Sequence, residues 1–256
     1  MLLERIHFFA SLVFVAVAAL LPIIDPFATA PIYLAMTSGL SPQERARTAK
    51  LVALNSFMVV LASLLIGAYV LDFFGISIAA VQVGGGIVVC ALAWPLLNGP
   101  IAPEVSPSAA SAATDSLTQR AFYPLTMPLT VGPGTISVAI TLGANPPRDL
   151  RALLTTTLAH GVGVLITALT IYLCYRYANR LIHRLGAAGT DMLIRLSAFI
   201  LLAIGTQITW NGARTMLEGV LHPSTSGAPS ALAPARPRTL SPSPTSRRSS
   251  VASARL

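Results

Sequence analysis

Residues 21–37, LPIIDPFATAPIYLAMT, set an aspartate and three prolines, Pro22, Pro26 and Pro31, into an apolar run. Proline lacks a backbone donor and its ring clashes with the carbonyl one turn back, so no straight helix passes through this stretch. In hydrocarbon a broken helix is tolerated only where other helices or a water-filled cavity satisfy the freed N–H and C=O groups. The break therefore faces protein. Asp25 sits inside it, and an ionisable residue at membrane depth marks a functional site by default.

The surrounding composition supports a membrane setting. Of 256 residues 54% are hydrophobic and only 10% charged, with a mean hydropathy of +0.71; soluble domains carry roughly 25% charged residues. The net charge of +8 comes from sixteen Arg and one Lys set against nine acids. These basic residues lie between apolar spans and along a C-terminal tail, without a basic face interleaved with aromatics, so a nucleic-acid interface is not expected. Cys90 and Cys174 fall within apolar runs, belong to no CxxC or Cys/His cluster and are read as core residues; no metal or cofactor is implied. Arg5, the apolar run after it and Ala28-Thr29-Ala30 imitate a secretory signal. Glu4 weakens the positive start and Pro31 would directly follow the cut, so the segment is read as the first span.

Six stretches reach the roughly 20 apolar residues that a crossing helix needs: about 8–37, 48–71, 76–98, 122–144, 152–174 and 193–213. Residues 99–121 are small, polar and Pro-rich, and form a linker between halves at about 8–98 and 122–217. The third span carries Gly84-Gly85-Gly86, read as a flat surface for close helix packing, with a lax stretch of helix as the alternative. The tail at 223–256 is Ser, Pro, Ala and Arg without an aromatic and is expected to be disordered. Arg45, Arg47 and Lys50 in the first loop and Arg176, Arg180 and Arg184 in the fifth place those loops on the cytoplasmic side. Both termini are then expected outside. Arg148, Arg151 and five tail arginines lean the other way.

The fourth span repeats the oddity of the first. Pro124, Pro128, Gly132, Pro133 and Gly134 lie along PLTMPLTVGPGTIS, and an offset of 106 to 113 residues pairs the two interrupted spans, PFAT at 26–29 against PGT at 133–135. Three spans per half require the second half to enter the bilayer upside down. The expected fold is thus all-α, with six transmembrane helices as a 3+3 inverted repeat and with the first and fourth spans interrupted. Such paired interruptions point to a transporter site near the midplane; two kinks coinciding by chance is the plainer alternative.

DPFATAPIYLAMT followed by SPQERARTA, then FGISIAAVQVGGGIVV, then PLTMPLTVGPGTIS resemble the MarC family of bacterial integral membrane proteins. Its pattern runs N-P-x-G-x-x-P-x-F, S-x-x-E-R, G-G-I and P-L-x-x-G-P-G-x-I-S, and the resemblance covers about 8–217. It implies a multi-pass inner-membrane protein near the LysE-type exporters, with small neutral amino acids as the substrate class attached to some relatives. Asp25 stands where the family usually has Asn, Ala28 where it has Gly, and Gln82 where an Arg often precedes the glycines. Asp25 adds a titratable group, and Arg195 still supplies a charge in the second half.

A helix restarting in mid-membrane presents bare N–H groups and the positive end of its dipole. Thr29 is expected to cap a helix with Pro31 in its first turn, and Gly132-Pro133-Gly134-Thr135 to leave the Gly134 and Thr135 amides free for a carboxylate. Asp25 would meet an ammonium, a sodium ion or a proton, so that the two breaks suit a small zwitterion. The candidate substrate or ion site is Asp25, Pro26, Thr29, Gly132, Gly134, Thr135 and Ser137, with Asn55, Gln82, His160 and Arg195 as secondary candidates. Plainer roles stand beside these. Asp25 could be a solvated helix cap, Thr135 and Ser137 could bond back within their helix, and His160 and Asn55 read more readily as packed polar groups. Arg195 reads as a snorkelling residue and Trp210 as an interfacial anchor.

The expected function is a secondary transporter or exporter of a small polar metabolite in the bacterial inner membrane, with possible proton or sodium coupling. The alternative is a non-transporting scaffold or stress-response protein whose Ser/Arg-rich tail recruits a partner. No GxSxG, HExxH, GxxxxGK[ST] or paired intramembrane aspartates occur, so neither an enzyme nor a primary pump is expected. Oligomeric state is left open.

Overall fold

The structure, a computed structural model, is described over residues 2–99, 117–144 and 146–221. Most of the 99–121 linker and the tail expected to be disordered lie outside these residues. Among the described residues the chain is entirely helical: α1 (Leu2–Ile24), α2 (Pro26–Met36), α3 (Pro42–Phe73), α4 (Ile78–Asn98), α5 (Leu117–Arg120), a wide winding over Ala121–Thr130, α6 (Pro133–Gly143), α7 (Leu150–Arg176) and α8 (Ala178–Leu221).

Local chemistry sets these boundaries. Pro26 has no N–H to return to α1, and Asp25 turns the chain in the left-handed region, φ 45° and ψ 64°, before α2 begins with Pro26 in its first turn. Asp25 also caps that helix, its Oδ1 accepting from the Ala28 N–H at 3.2 Å. The cap expected at Thr29 is therefore at Asp25. Thr29 lies a full turn inside, where its hydroxyl donates to the Asp25 carbonyl at 2.9 Å; an Asp before a Pro is the stronger start signal. Pro31 falls in the interior of α2 rather than in its opening turn.

SPQER, read as loop, starts α3 instead. Ser41 Oγ accepts from the Glu44 N–H at 3.3 Å and the Glu44 carboxylate accepts from the Ser41 N–H at 2.9 Å, a capping box that carries the helix out past the apolar stretch. Ser77 and Asp149 cap α4 and α7 in the same sense. In α8, Gly186 at φ 69° breaks the helical backbone, so the segment holding Arg180 and Arg184 is a separate short helix where a connecting loop was expected.

Among the described residues five helices are long and apolar enough to cross a membrane: α1 from Glu4, α3, α4, α7 and α8. The pair formed by Leu117–Thr130 and Pro133–Gly143, bent by 74°, brings the number to six when it is counted as one span. Its two ends meet opposite ends of α3. Pro124 shares a cavity with Thr48, whereas Gly143 touches the backbone of Leu64, sixteen residues and about 24 Å further along a helix rising 1.5 Å per residue.

Small residues make the helix contacts, as expected where hydrocarbon supplies no hydrophobic drive between helices. Gly163 of α7 lies against Ala16 and Val13 of α1, and Gly85 of α4 against Ser137 of α6. Gly86 and Gly205 bring the α4 and α8 backbones together, a Cβ on either one falling within 3 Å of the other's carbonyl oxygen. Close packing thus holds for Gly85 and Gly86, while Gly84 has open space around it. The outer surface is apolar, with Phe14, Phe73, Leu158, Met192 and Trp210 each more than 60% exposed.

Candidate functional site

The end of α1, the start of α2, the middle of α4, the wide winding and the start of α6 enclose a cavity of about 420 Å³. Val89, Leu92 and Leu96 line it from α4, so it extends from the middle of that 21-residue helix to its C-terminal end. Asp25 and Thr29 line it from the first break, and Gly132, Gly134 and Thr135 from the second. The two interruptions, 107 residues apart in sequence, thus share one chamber.

Each break presents different chemistry. At the first, the Asp25 carboxylate has one oxygen engaged by the Ala28 amide, and the Ser197 hydroxyl of α8 faces it. At the second, Gly132 is the cap residue and gives α6 no side-chain cap. Pro133 has no N–H and the Ile136 N–H is taken by the Gly132 carbonyl, which leaves the Gly134 and Thr135 amides as the first-turn donors without an intrahelical partner. A helix N-terminus so placed favours negative charge. Gly134 is closely packed, since a Cβ there would run into the Val89 side chain.

Tyr175, fully buried near the end of α7, ties the breaks together. Its hydroxyl donates to Thr29 Oγ1 at 3.1 Å and lies 2.8 Å from Thr130 Oγ1. Its ring stacks on Tyr33 of α2, centroids 4.4 Å apart, and the Tyr33 hydroxyl donates to the Arg45 carbonyl at 2.6 Å. Two threonines of the winding bond back to its own carbonyls. Thr126 Oγ1 donates to the Ala121 carbonyl and Thr130 Oγ1 to that of Leu125, both at 2.7 Å.

A second cavity of about 400 Å³ adjoins the first, with Met36 and Pro124 lining both. Thr37, Leu40, Thr48 and Arg120 complete it on the side of the first loop. A third, of about 350 Å³, lies at the opposite ends of α3 and α6, lined by Tyr69, Asp72, Ser77 and Gly143.

Five of the seven leading sequence candidates, Asp25, Thr29, Gly132, Gly134 and Thr135, line the central cavity. Pro26 is buried and supplies the restart of α2 rather than a lining surface. Ser137 is turned away, donating to the Val81 carbonyl at 3.0 Å in the α4–α6 contact. None of the secondary candidates lines the chamber. Gln82 Nε2 donates to Thr141 Oγ1 at 3.2 Å, and His160 is buried within α7. Asn55 is half-buried on α3. Arg195 pairs with Asp191 at 3.2 Å and donates to the Leu97 carbonyl at 3.0 Å, closing the end of α4. Sequence reasoning missed Thr130, Ser197 and Tyr175. The threonine stands in the quoted motif two residues before Gly132, but Tyr175 gives no sequence signal beyond being an aromatic in an apolar run.

The family model described as MarC family integral membrane protein matches residues 10–217. The inner membrane protein MarC of Salmonella arizonae is 27% identical over 78% of this chain and 92% of its own length. A membrane protein of Archaeoglobus fulgidus is 28% identical over 80% and 93%, and one of Methanocaldococcus jannaschii 29% identical over 79% and 96%. No solved structure matches the chain.

Proposed function

This chain belongs to the MarC family of integral membrane proteins, and on that premise we propose that it is a secondary transporter or exporter of a small polar metabolite such as a small neutral amino acid. The observation that carries the reading is the shared chamber: an acid from one helix restart and bare amides from the other line the same cavity of about 420 Å³. A zwitterion would set its ammonium on Asp25 and its carboxylate on the Gly134 and Thr135 amides, with Thr29 and Thr130 hydroxyls between. Half-helix N-termini aimed at an anionic group at mid-depth are a recurring way for membrane carriers to hold substrate. No step in this reading calls for a nucleophile or a base, and the protein is a carrier rather than an enzyme.

An inverted 3+3 repeat is part of the same reading. Both restarts give half-helices of 11 residues with proline in the first turn. Packing follows the same exchange, with α2 against α8 and α6 against α4, and the halves meeting through α3 with α7 and α4 with α8. Met36 and Pro124, between the chamber and the second cavity, give access from the face of the first loop. Basic residues on that face and on the short helix after α7 favour its being cytoplasmic, and the likeness to the Salmonella inner membrane protein favours the inner membrane.

The test is reconstitution in liposomes with labelled alanine, glycine and serine, under proton, sodium and no gradient, in both directions. Saturable flux that empty liposomes lack is expected. Absence of flux under every gradient would overturn the reading and leave the scaffold alternative.

A further inference from the structure

The outer side of α7 carries an apolar lane that ends under a cation. Leu165, Leu169 and Leu173 stand four residues apart, each more than 40% exposed, and residues at that spacing lie one above another on a helix face. Tyr177, also exposed, is the next step of the same lane and closes α7 as its cap residue. The Leu181 N–H bonds back to the Tyr177 carbonyl at 3.0 Å, so the chain runs on directly into the short helix before Gly186. From that helix Arg180 lays its guanidinium over the Tyr177 ring, 5.4 Å from the centroid.

Arg176 and Arg184 stand four residues to either side of Arg180 and are exposed with it. Among the described residues none of the three forms an ion pair. The acids at this end of the molecule are engaged elsewhere, Asp191 with Arg195 at 3.2 Å and Glu44 with the Ser41 N–H at 2.9 Å. Tyr33 joins the start of α3 to the same end, its hydroxyl on the Arg45 carbonyl and its ring on Tyr175, and there Arg47 and Lys50 are exposed as well. At the far end of α7, 27 residues and about 40 Å away, Arg148 and Arg151 instead flank Asp149. Unpaired positive charge is thus concentrated where the apolar lane stops.

We infer that the outer face of α7 seats an anionic phospholipid, with an acyl chain along Leu165, Leu169 and Leu173 and the headgroup phosphate on Arg176 and Arg180. The guanidinium fork matches a phosphate, and basic clusters beside a membrane span draw anionic lipid. A free phosphate would use the arginines and leave the lane bare, whereas a lipid covers both. Tyr175, on the buried side of the same turn, bonds Thr29 and Thr130, so a headgroup seated here braces the end of α7 that joins the two breaks. The claim concerns binding, holds whichever way the chain is threaded through the bilayer, and stands apart from the transport reading.

The experiment is thermal unfolding of the purified full-length protein in a neutral detergent, titrated with phosphatidylglycerol, phosphatidylcholine or inorganic phosphate at constant ionic strength. A saturable rise of Tm of a few degrees is expected with phosphatidylglycerol and not with the other two, because a ligand that binds only the native state stabilises it by mass action. The double variant Arg176→Gln, Arg180→Gln should lose most of that rise while its Tm without lipid stays that of the wild type, since both side chains are exposed. Arg148→Gln with Arg151→Gln, at the other end of α7, should keep it. No rise with phosphatidylglycerol, or an equal rise with phosphatidylcholine or in the Arg176, Arg180 variant, would overturn the inference in favour of an unselective lipid shell. An equal rise with inorganic phosphate would overturn it in favour of a bare anion site, and an equal loss in the Arg148, Arg151 variant in favour of diffuse charge attraction.

Discussion

At the first break the chain closes its own helix end, and at the second it leaves the end open. Asp25 caps α2 through the Ala28 amide and turns the backbone left-handed, whereas Gly132 enters α6 with an ordinary extended backbone, φ −95° and ψ 177°, and gives no cap. Both helices then run 11 residues from a proline. The difference is one of side chain rather than of fold. A capped end spends its donors internally and offers charge; an uncapped end keeps its donors for something else. A chamber lined by one of each can hold both ends of a zwitterion, which two identical breaks could not.

That contrast can be broken most sharply at Gly134. A valine there would collide with Val89 and fill the space before the open amides; overpacking of this kind typically costs about 1–3 kcal/mol. Gly134→Val should lower Tm clearly and take flux in liposomes below detection, while the matching change on the first break, Phe27→Val, should leave most of it, because Phe27 is exposed and does not line the chamber.

The next test makes the second break resemble the first. Gly132→Ser fits the existing backbone, since a Cβ there meets nothing nearer than 3.6 Å, and serine is a strong cap. It should raise stability by about 1 kcal/mol and, by occupying an amide that substrate needs, weaken the apparent affinity about tenfold, the equivalent of ~1.4 kcal/mol. Tm rising while KM for labelled substrate also rises would establish the trade; a rise in Tm with KM unchanged would remove the open amides from the site.

Changes at Asp25 separate charge from cap. Asparagine accepts the left-handed backbone and keeps an oxygen for Ala28. Asp25→Asn should therefore fold normally, retain flux and flatten its pH dependence in proteoliposomes. Asp25→Ala loses the cap, about 1 kcal/mol, and adds a left-handed alanine at about 1–2 kcal/mol, so it should lower Tm at every pH. Equal loss in both variants at every pH would reduce Asp25 to a structural role. The smallest effect is expected from Tyr175→Phe, which keeps the stack on Tyr33 and removes only the hydroxyl between Thr29 and Thr130. A loss of about 1 kcal/mol in unfolding free energy is expected, with little change in KM.

How far the fold was legible follows from where the chain itself carries the instruction. Both breaks were readable because proline removes a donor wherever it stands, and Pro26 and Pro133 do begin the two half-helices. Residues of both breaks line one chamber, as the pairing of the two interruptions in sequence leads one to expect. The cap was misplaced at Thr29, because a threonine before Pro31 competes with an aspartate before Pro26 and only backbone geometry decides between them. SPQER reads as a loop between two apolar spans, although Ser41 and Glu44 stand at capping-box spacing. Tyr175 could not be found at all. Its partners Thr29 and Thr130 are 146 and 45 residues away, and no local pattern encodes a contact of that span.

One further consequence lies in the seam between α4 and α8. Gly86, Gly205 and Gly212 let Thr209, Cys90 and Val83 sink against the opposite main chain, so the two helices meet at backbone distance. Contact that close leaves no room for a side-chain carbon and fixes the register of the pair. A single methyl at Gly86, where it would meet Thr209 and the Gly205 carbonyl, would wedge the seam open without touching the chamber.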